Sequence, residues 1–239
     1  MEDSSRPILT LVGAQRTATS VAEHLREAIL FGRIGPGTEL KEERLAQELG
    51  ISRTPIREAL LRLKSEGLIE ETPGRPARVR TLDHRALADL YELRSVLDAY
   101  SSRRAAERAT DAQLQYLEQL RKEIETCDPE TDLNGLLAAV RSFHVAIAEA
   151  ATSARLDSFV RRTLQVPFEY EARIWRLPGM KARFVEHHNR IMTALARRNP
   201  DRAELEMKQY LLELRDVLLD GVAEPSDVED VGASGADSR

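Results

Sequence analysis

Ser52, Arg53, Thr54 and Arg57 fall within two turns of a prospective helix, and between them they can hold a phosphate and read a base. The hydroxyls of Ser52 and Thr54 stand where helix N-terminal N–H groups and the helix dipole favour an anion. Ser52 can also cap the helix, and Pro55 suits its first turn. Each guanidinium can form a bidentate bond with guanine O6 and N7, or grip the phosphate backbone. Ile56, Ala59, Leu60 and Leu63 occupy the other face, giving the helix an apolar back and a basic front. A second basic group follows at Gly74 and Arg75, in the turn 72–76, where Arg75 could reach an adjacent minor groove while Arg78 and Arg80 meet the backbone. Two arginines balanced by Glu58 and Glu66 would by themselves describe an ordinary surface helix. The order of elements around them favours nucleic acid.

A helix beginning near Ser20, its expected cap, and running to about Phe31 carries Val21, Leu25, Ala28 and Ile29 at helical spacing. Gly32 and Gly35-Pro36-Gly37 stop it. A short helix 42–49, the turn at Gly50-Ile51 and the helix 53–66 ending at Gly67 form a helix-turn-helix spanning about Glu42 to Leu61. Residues 68–71 and 77–80 then read as the two strands of a basic hairpin. Three helices and a hairpin make a winged helix-turn-helix over 16–80, preceded by a loose arm at 1–15.

Beyond Thr81 only helical periodicity remains, over 83–108, 111–126, 133–151, 155–176, 181–198 and 200–220. The fold expected is therefore mainly α: a winged domain followed by an all-α bundle of six or seven helices over 81–221. On the first of these helices Leu87, Leu90, Leu93, Arg94 and Leu97 share one stripe, which sets Arg94 apart from a surface arginine. Trp175 is expected in the core. The acidic, Gly- and Ser-containing tail 222–239 has little to bury and is expected to be disordered.

Charge follows the same division. Residues 1–80 hold 13 basic against 12 acidic side chains, and residues 81–239 hold 22 against 28, for a net charge of −5 over 239 residues. That balance argues against indiscriminate coating of nucleic acid while leaving a local DNA-binding face open. Cys127 is the only cysteine, which excludes disulfide frameworks and cysteine-rich zinc sites. No apolar run approaches the ~18–20 residues of a spanning helix, and the first residues do not read as a signal peptide. A cytoplasmic protein with no membrane partner is expected. Gly-rich phosphate loops, Ser-His-Asp groupings and Glu-x-x-His repeats are absent, so no catalytic residue is assigned. By their surroundings alone His144 and His188 are partly buried helix residues.

The words LREAILFGRIGPGTEL, ERLAQELGISRTPIREALLRL and EGLIEETPGR resemble the winged helix of the GntR transcription factors over 17–80. The resemblance implies DNA contacts by Ser52, Arg53, Thr54 and Arg57, with the wing around Gly74 and Arg75. Pro76 departs from it, standing where the family often has glycine. A looser resemblance over 83–220 joins Leu90-Tyr91-Glu92-Leu93-Arg94, Ser142-Phe143-His144 and Glu186-His187-His188 to the FadR-type branch and its C-terminal ligand domain, the FCD domain. It implies a homodimer on a palindromic double-stranded operator, more often a repressor, controlled by a small effector, commonly a carboxylate.

Many such domains also hold a divalent metal with one Asp or Asn and three His. Here His144 and His188 match two ligand positions, while Val140 and Tyr210 stand at the other two, so no cofactor is assigned and the metal set is incomplete. An anionic effector could instead be held by Arg94, with His144, His188, Tyr210 and Arg173 adding hydrogen bonds. For Arg94 a structural salt bridge to a neighbouring helix is an equal competitor. Two other functions stay open: a constitutive DNA-binding or architectural protein whose pocket is filled by side chains, and a helical small-molecule enzyme with a DNA-binding domain.

Overall fold

The computed structural model describes residues 17–221; the arm at 1–15 and the tail at 222–239 lie outside them. Helix α1 (Ala18–Leu30) starts one turn earlier than its apolar stripe suggests. Thr17 is the cap: its hydroxyl accepts the Ser20 N–H at 3.2 Å, and Ser20 Oγ accepts the Thr17 N–H at 3.2 Å. Ser20 is thus the far corner of a capping box and not the cap itself.

A strand β1 (Glu39–Leu40), helices α2 (Glu42–Leu49) and α3 (Arg53–Glu66), and strands β2 (Ile69–Glu70) and β3 (Ala77–Val79) complete the first unit. The expected two-stranded hairpin is a three-stranded antiparallel sheet in the order β1-β3-β2, with Leu40 opposite Ala77 and Ile69 opposite Val79. A two-residue strand is too short to show a period, which is why β1 was not expected. Leu25, Ile29, Leu40, Leu45, Ile56, Leu63, Leu68 and Val79 close one core between the helices and this sheet.

Seven helices follow: α4 (His84–Arg108), α5 (Asp111–Thr126), α6 (Leu133–Ala150), α7 (Ala154–Thr163), α8 (Phe168–Trp175), α9 (Met180–Ala196) and α10 (Pro200–Gly221). The single helix expected over 155–176 is broken between Thr163 and Phe168. Pro167 offers no N–H to a helical ladder and pushes Val166 toward extended backbone, so α7 and α8 separate there. Helix α10 runs antiparallel to α4, with Arg215 on Glu92 at one end and Arg103 on Glu204 at the other, each at 3.0 Å.

The buried face of α4 also differs from the apolar stripe read in sequence. Leu93 is 51% exposed, and the inward positions are Leu87, Tyr91, Arg94, Ser95, Asp98, Ser102 and Ala105. The bundle thus turns polar side chains into its centre along this helix. Trp175 is buried, packed edge-on to Phe184 with ring centres 5.5 Å apart.

Candidate functional site

Ser52 occupies the N-cap position of α3 with extended backbone, but its side chain makes no capping bond; the start of the helix instead follows the left-handed Gly50 (φ 62°), which ends α2. Ser52, Arg53, Thr54 and Arg57 are all exposed on one edge of α3. Each arginine leans on an acid of α2. Arg57 forms a fork with Glu42, Nε to Oε1 at 3.0 Å and Nη2 to Oε2 at 2.9 Å. Arg53 Nη2 lies 2.8 Å from Glu43 Oε1. The Arg57 hydrogen bond holds the Glu42 carboxyl below its ordinary range.

The wing tip turns through Thr72–Arg75, with the Arg75 N–H on the Thr72 carbonyl at 3.0 Å and Gly74 at φ 76°, a conformation that an L side chain rarely adopts. Arg53, Arg57, Lys64 and Arg75 line one concave surface between α2, α3 and the wing. Arg78 turns instead onto Glu39 of β1. The sequence reading missed Glu43 and Glu42 as partners of Arg53 and Arg57. The acids stand in α2's first turn, so only the folded approach of α2 to α3 reveals the pairing.

The second constellation lies inside the helical bundle. Arg94, His144, His188 and Tyr210 come together from α4, α6, α9 and α10, none more than 2% exposed. His144 and Tyr210 stack with ring centres 5.8 Å apart, and His188 meets Tyr210 edge-on at 4.9 Å. Asp98, one turn after Arg94 on α4, joins them: its Oδ2 is 2.8 Å from His144 Nδ1 and 3.9 Å from an Arg94 nitrogen. The salt bridge that competes for Arg94 therefore runs along its own helix. Arg94 also lies over the Tyr91 ring, 4.8 Å from its centre. Arg173 is not part of the cluster. It is on the exposed side of α8, because the break at Pro167 starts a new helix whose inward positions are Glu171, Ala172, Ile174 and Trp175.

His188 donates from Nδ1 to the Phe184 carbonyl at 2.7 Å, which leaves Nε2 as a lone-pair acceptor facing the cluster with no partner. Burial is the main reason its pKa drops to about 3, and His144 and His187 lower it further. Burial likewise holds the Tyr210 and Tyr91 hydroxyls protonated. Arg94 Nε and Nη1, Asp98 Oδ1 and Ser102 Oγ are buried without hydrogen-bond partners as well. A buried polar atom left unpaired costs roughly 1–3 kcal/mol, so several of them at the centre of one bundle are an exception that calls for a physical reason.

These residues do not make a good metal site. Val140 offers no donor, Tyr210 is kept protonated, and His144 Nδ1 faces Asp98. Among the described residues no three His, Cys, Asp or Glu side chains converge as a metal would require. Asp98, Tyr91 and Ser102 were missed in sequence. The available signal was the four-residue spacing from Arg94 to Asp98, which puts both on one helix face.

The fold is that of a winged helix-turn-helix domain joined to an all-α domain, the class of a winged-helix regulator, and sequence comparison agrees. Residues 17–79 match the family model for bacterial regulatory proteins of the gntR family, and residues 89–213 match that of the FCD domain. The chain belongs to the GntR family of transcriptional regulators, in its FCD-containing branch. The Nta operon transcriptional regulator of Aminobacter aminovorans is 32% identical over 168 residues, covering 70% of this chain and 77% of that protein. The transcriptional repressor RspR of Escherichia coli K12 is 28% identical over 197 residues, covering 80% and 83%. Among solved structures, E. coli McbR/YncC superposes with a TM-score of 0.75 over 87% of this chain and 99% of that one, at 21% identity, a likeness of fold. This protein is a DNA-binding transcriptional regulator and not an enzyme. No helix among the described residues is long and apolar enough to cross a membrane.

Proposed function

We propose that this regulator is a ligand-controlled homodimeric repressor of the cytoplasm that reads a palindromic operator with Ser52, Arg53, Thr54, Arg57, Gly74 and Arg75. Its effector is a small organic acid seated among Arg94, His144, His188 and Tyr210. The observation that carries the effector reading is the set of orphaned buried atoms on Arg94, Asp98, Ser102 and His188. A carboxylate can accept from the free Arg94 nitrogens, while a hydroxyl on the same molecule can donate to His188 Nε2 or Asp98. The repressor assignment is supported by the likeness to RspR.

Dimerisation is supported by the need to read two half-sites and by an unpartnered apolar stripe. Leu93, Val96 and Tyr100 of α4 are 51%, 62% and 44% exposed at helical spacing, and Phe159 of α7 is 56% exposed. Ligand control requires a ligand that prefers one arrangement of the winged domains to another.

A thermal-shift screen over organic acids and acyl-CoA compounds tests the reading. A stabilising acid whose effect disappears in Arg94→Met, and which changes operator affinity in the parent protein, is the expected result. Failure of every compound to shift unfolding would leave a constitutive regulator.

A further inference from the structure

Helix α6 carries His144 into the buried cluster and, one turn earlier, Arg141 to the boundary with the winged domain. The Arg141 side chain is only 12% exposed. Its Nη1 donates to the Leu30 carbonyl at 3.0 Å, and its Nη2 donates to the Val166 carbonyl at 3.2 Å and to the Glu171 carboxylate. Leu30 is the last residue of α1, so its carbonyl is among those that no helical N–H can satisfy. That end of the helix is also the negative pole of the dipole. Helix α1 has no basic residue in its own last turn, and a guanidinium from the other domain stands there instead.

The other side of this contact leads back to the cluster. Glu171 is 7% exposed, and its negative charge bears on Tyr91, Arg94 and Tyr210 while its carboxylate is bonded to Arg141. The helix that carries it, α8, also seats the winged domain's 32–35 loop. Phe168 packs so close to Gly32 that a Cβ there would lie 2.5 Å from its ring, and Glu169 Oε1 would lie 3.0 Å from a Cβ on Gly35. One carboxylate therefore bonds to the Arg141 guanidinium at the domain boundary and acts through its charge, without a salt bridge, on Arg94 inside the cluster.

We propose that Arg141 is the positioning residue that couples the buried cluster to the DNA-binding domain, through a Glu171 carboxylate that is bonded to Arg141 and lies within the electrostatic reach of Arg94. An anion seated on Arg94 cancels the pull of Arg94 on Glu171, and the carboxylate commits to Arg141. The guanidinium must then redistribute its hold between Glu171 and the Leu30 carbonyl, which changes how α1 is held against α6 and α8. Two groups on either side of the boundary thus respond to one change of charge, the differential contact that linkage between sites requires. This rests on reading the cluster as an effector site, but its test needs no effector.

Hydrogen exchange of the segment 27–36 is followed in the full chain, in Arg94→Met, in Arg141→Gln and in the double variant. Arg141→Gln is expected to speed exchange of this segment. Arg94→Met is expected to change that exchange by at least about twofold in the parent background, the low end of coupling within one charge network, and to change it much less once Arg141 is gone. Effects that simply multiply would overturn the proposal, because a merely structural Arg141 predicts independence. Should Arg94→Met fail to fold because it strands Asp98, R94M/D98N takes its place; should Arg141→Gln fail, Arg141→Lys keeps the charge but lacks the planar fork. A ligand screen without hits would remove the effector reading and leave this cycle standing, whereas an additive cycle would remove the coupling and leave ligand binding intact.

Discussion

Acid should destabilise this protein through His188, and the size of the effect follows from its position. The ring is fully buried, donates to the Phe184 carbonyl, and is neutral because burial holds its pKa down at about 3. In the unfolded chain the same imidazole titrates at about 6.5. The unfolded state therefore binds a proton below that value while the folded state refuses it. Stability from this residue is intact above about pH 6.5 and falls, as pH drops toward about 3, by ~1.4 kcal/mol per unit. Between about pH 7.5 and pH 5 the loss amounts to about 2 kcal/mol, which moves a urea midpoint by about 1 M at an ordinary denaturant slope. Urea unfolding at the two pH values, on the parent protein and on His188→Asn, isolates the contribution, since the variant keeps a donor near Phe184 and cannot titrate. The parent should lose about 2 kcal/mol more than the variant over this range. Equal losses in both would refute the reasoning, and with it the picture of a desolvated, neutral His188 at the centre of the cluster. A bound carboxylate should shrink the difference, because an anion beside the ring favours its charged form.

On the reading face, Arg53→Ala and Arg57→Ala should each weaken binding to a palindromic duplex and lower the slope of log K against log salt by about one where the lost contact is a phosphate. The fold should be unchanged, because both side chains are exposed and rest on Glu43 and Glu42 and not on the core; unchanged affinity in a salt titration of both variants would show that another face reads DNA. At the domain boundary, Gly32→Ala should cost about 2–4 kcal/mol, combining a left-handed backbone at φ 75° with a Cβ 2.5 Å from the Phe168 ring. The same substitution made on Phe168→Ala should cost less, leaving only the backbone part; equal costs in denaturant melts would mean that the ring does not press on Gly32.

The elements whose ends are marked by local chemistry were legible in the sequence. Helix α5 runs over the expected 111–126 because Thr110 and Gln113 close a capping box at one end and Asp128-Pro129 follows the other. The helix-turn-helix was legible for the same reason, with Gly50 and Gly67 adopting the left-handed conformation that ends each helix. Strand β1 and the break at Pro167 were not, the first because two residues carry no period and the second because apolar spacing continued across it. The exposed edge of α3 was readable from Ser52 to Arg57, since an amphipathic helix declares its outer face.

Sequence alone thus determined the winged domain and the basic, exposed edge of α3, because local caps, turns and periodicity encode them, while its longer motif words carried the resemblance to the family. The charge state of that face belongs to the tertiary structure, since Glu42 and Glu43 meet Arg57 and Arg53 only when α2 folds against α3. The internal cluster belongs there too. Periodicity put Arg94 on one stripe of α4 with Leu87, Leu90, Leu93 and Leu97, yet the fold exposes Leu93 and turns Asp98 and Ser102 inward beside Arg94. A buried polar side chain is tolerated only when partners from other helices surround it. Those partners, His144, His188 and Tyr210, are separated along the chain by tens of residues; the family resemblance grouped them with Arg94 and Arg173, and the packed bundle brings them together with Asp98 and without Arg173.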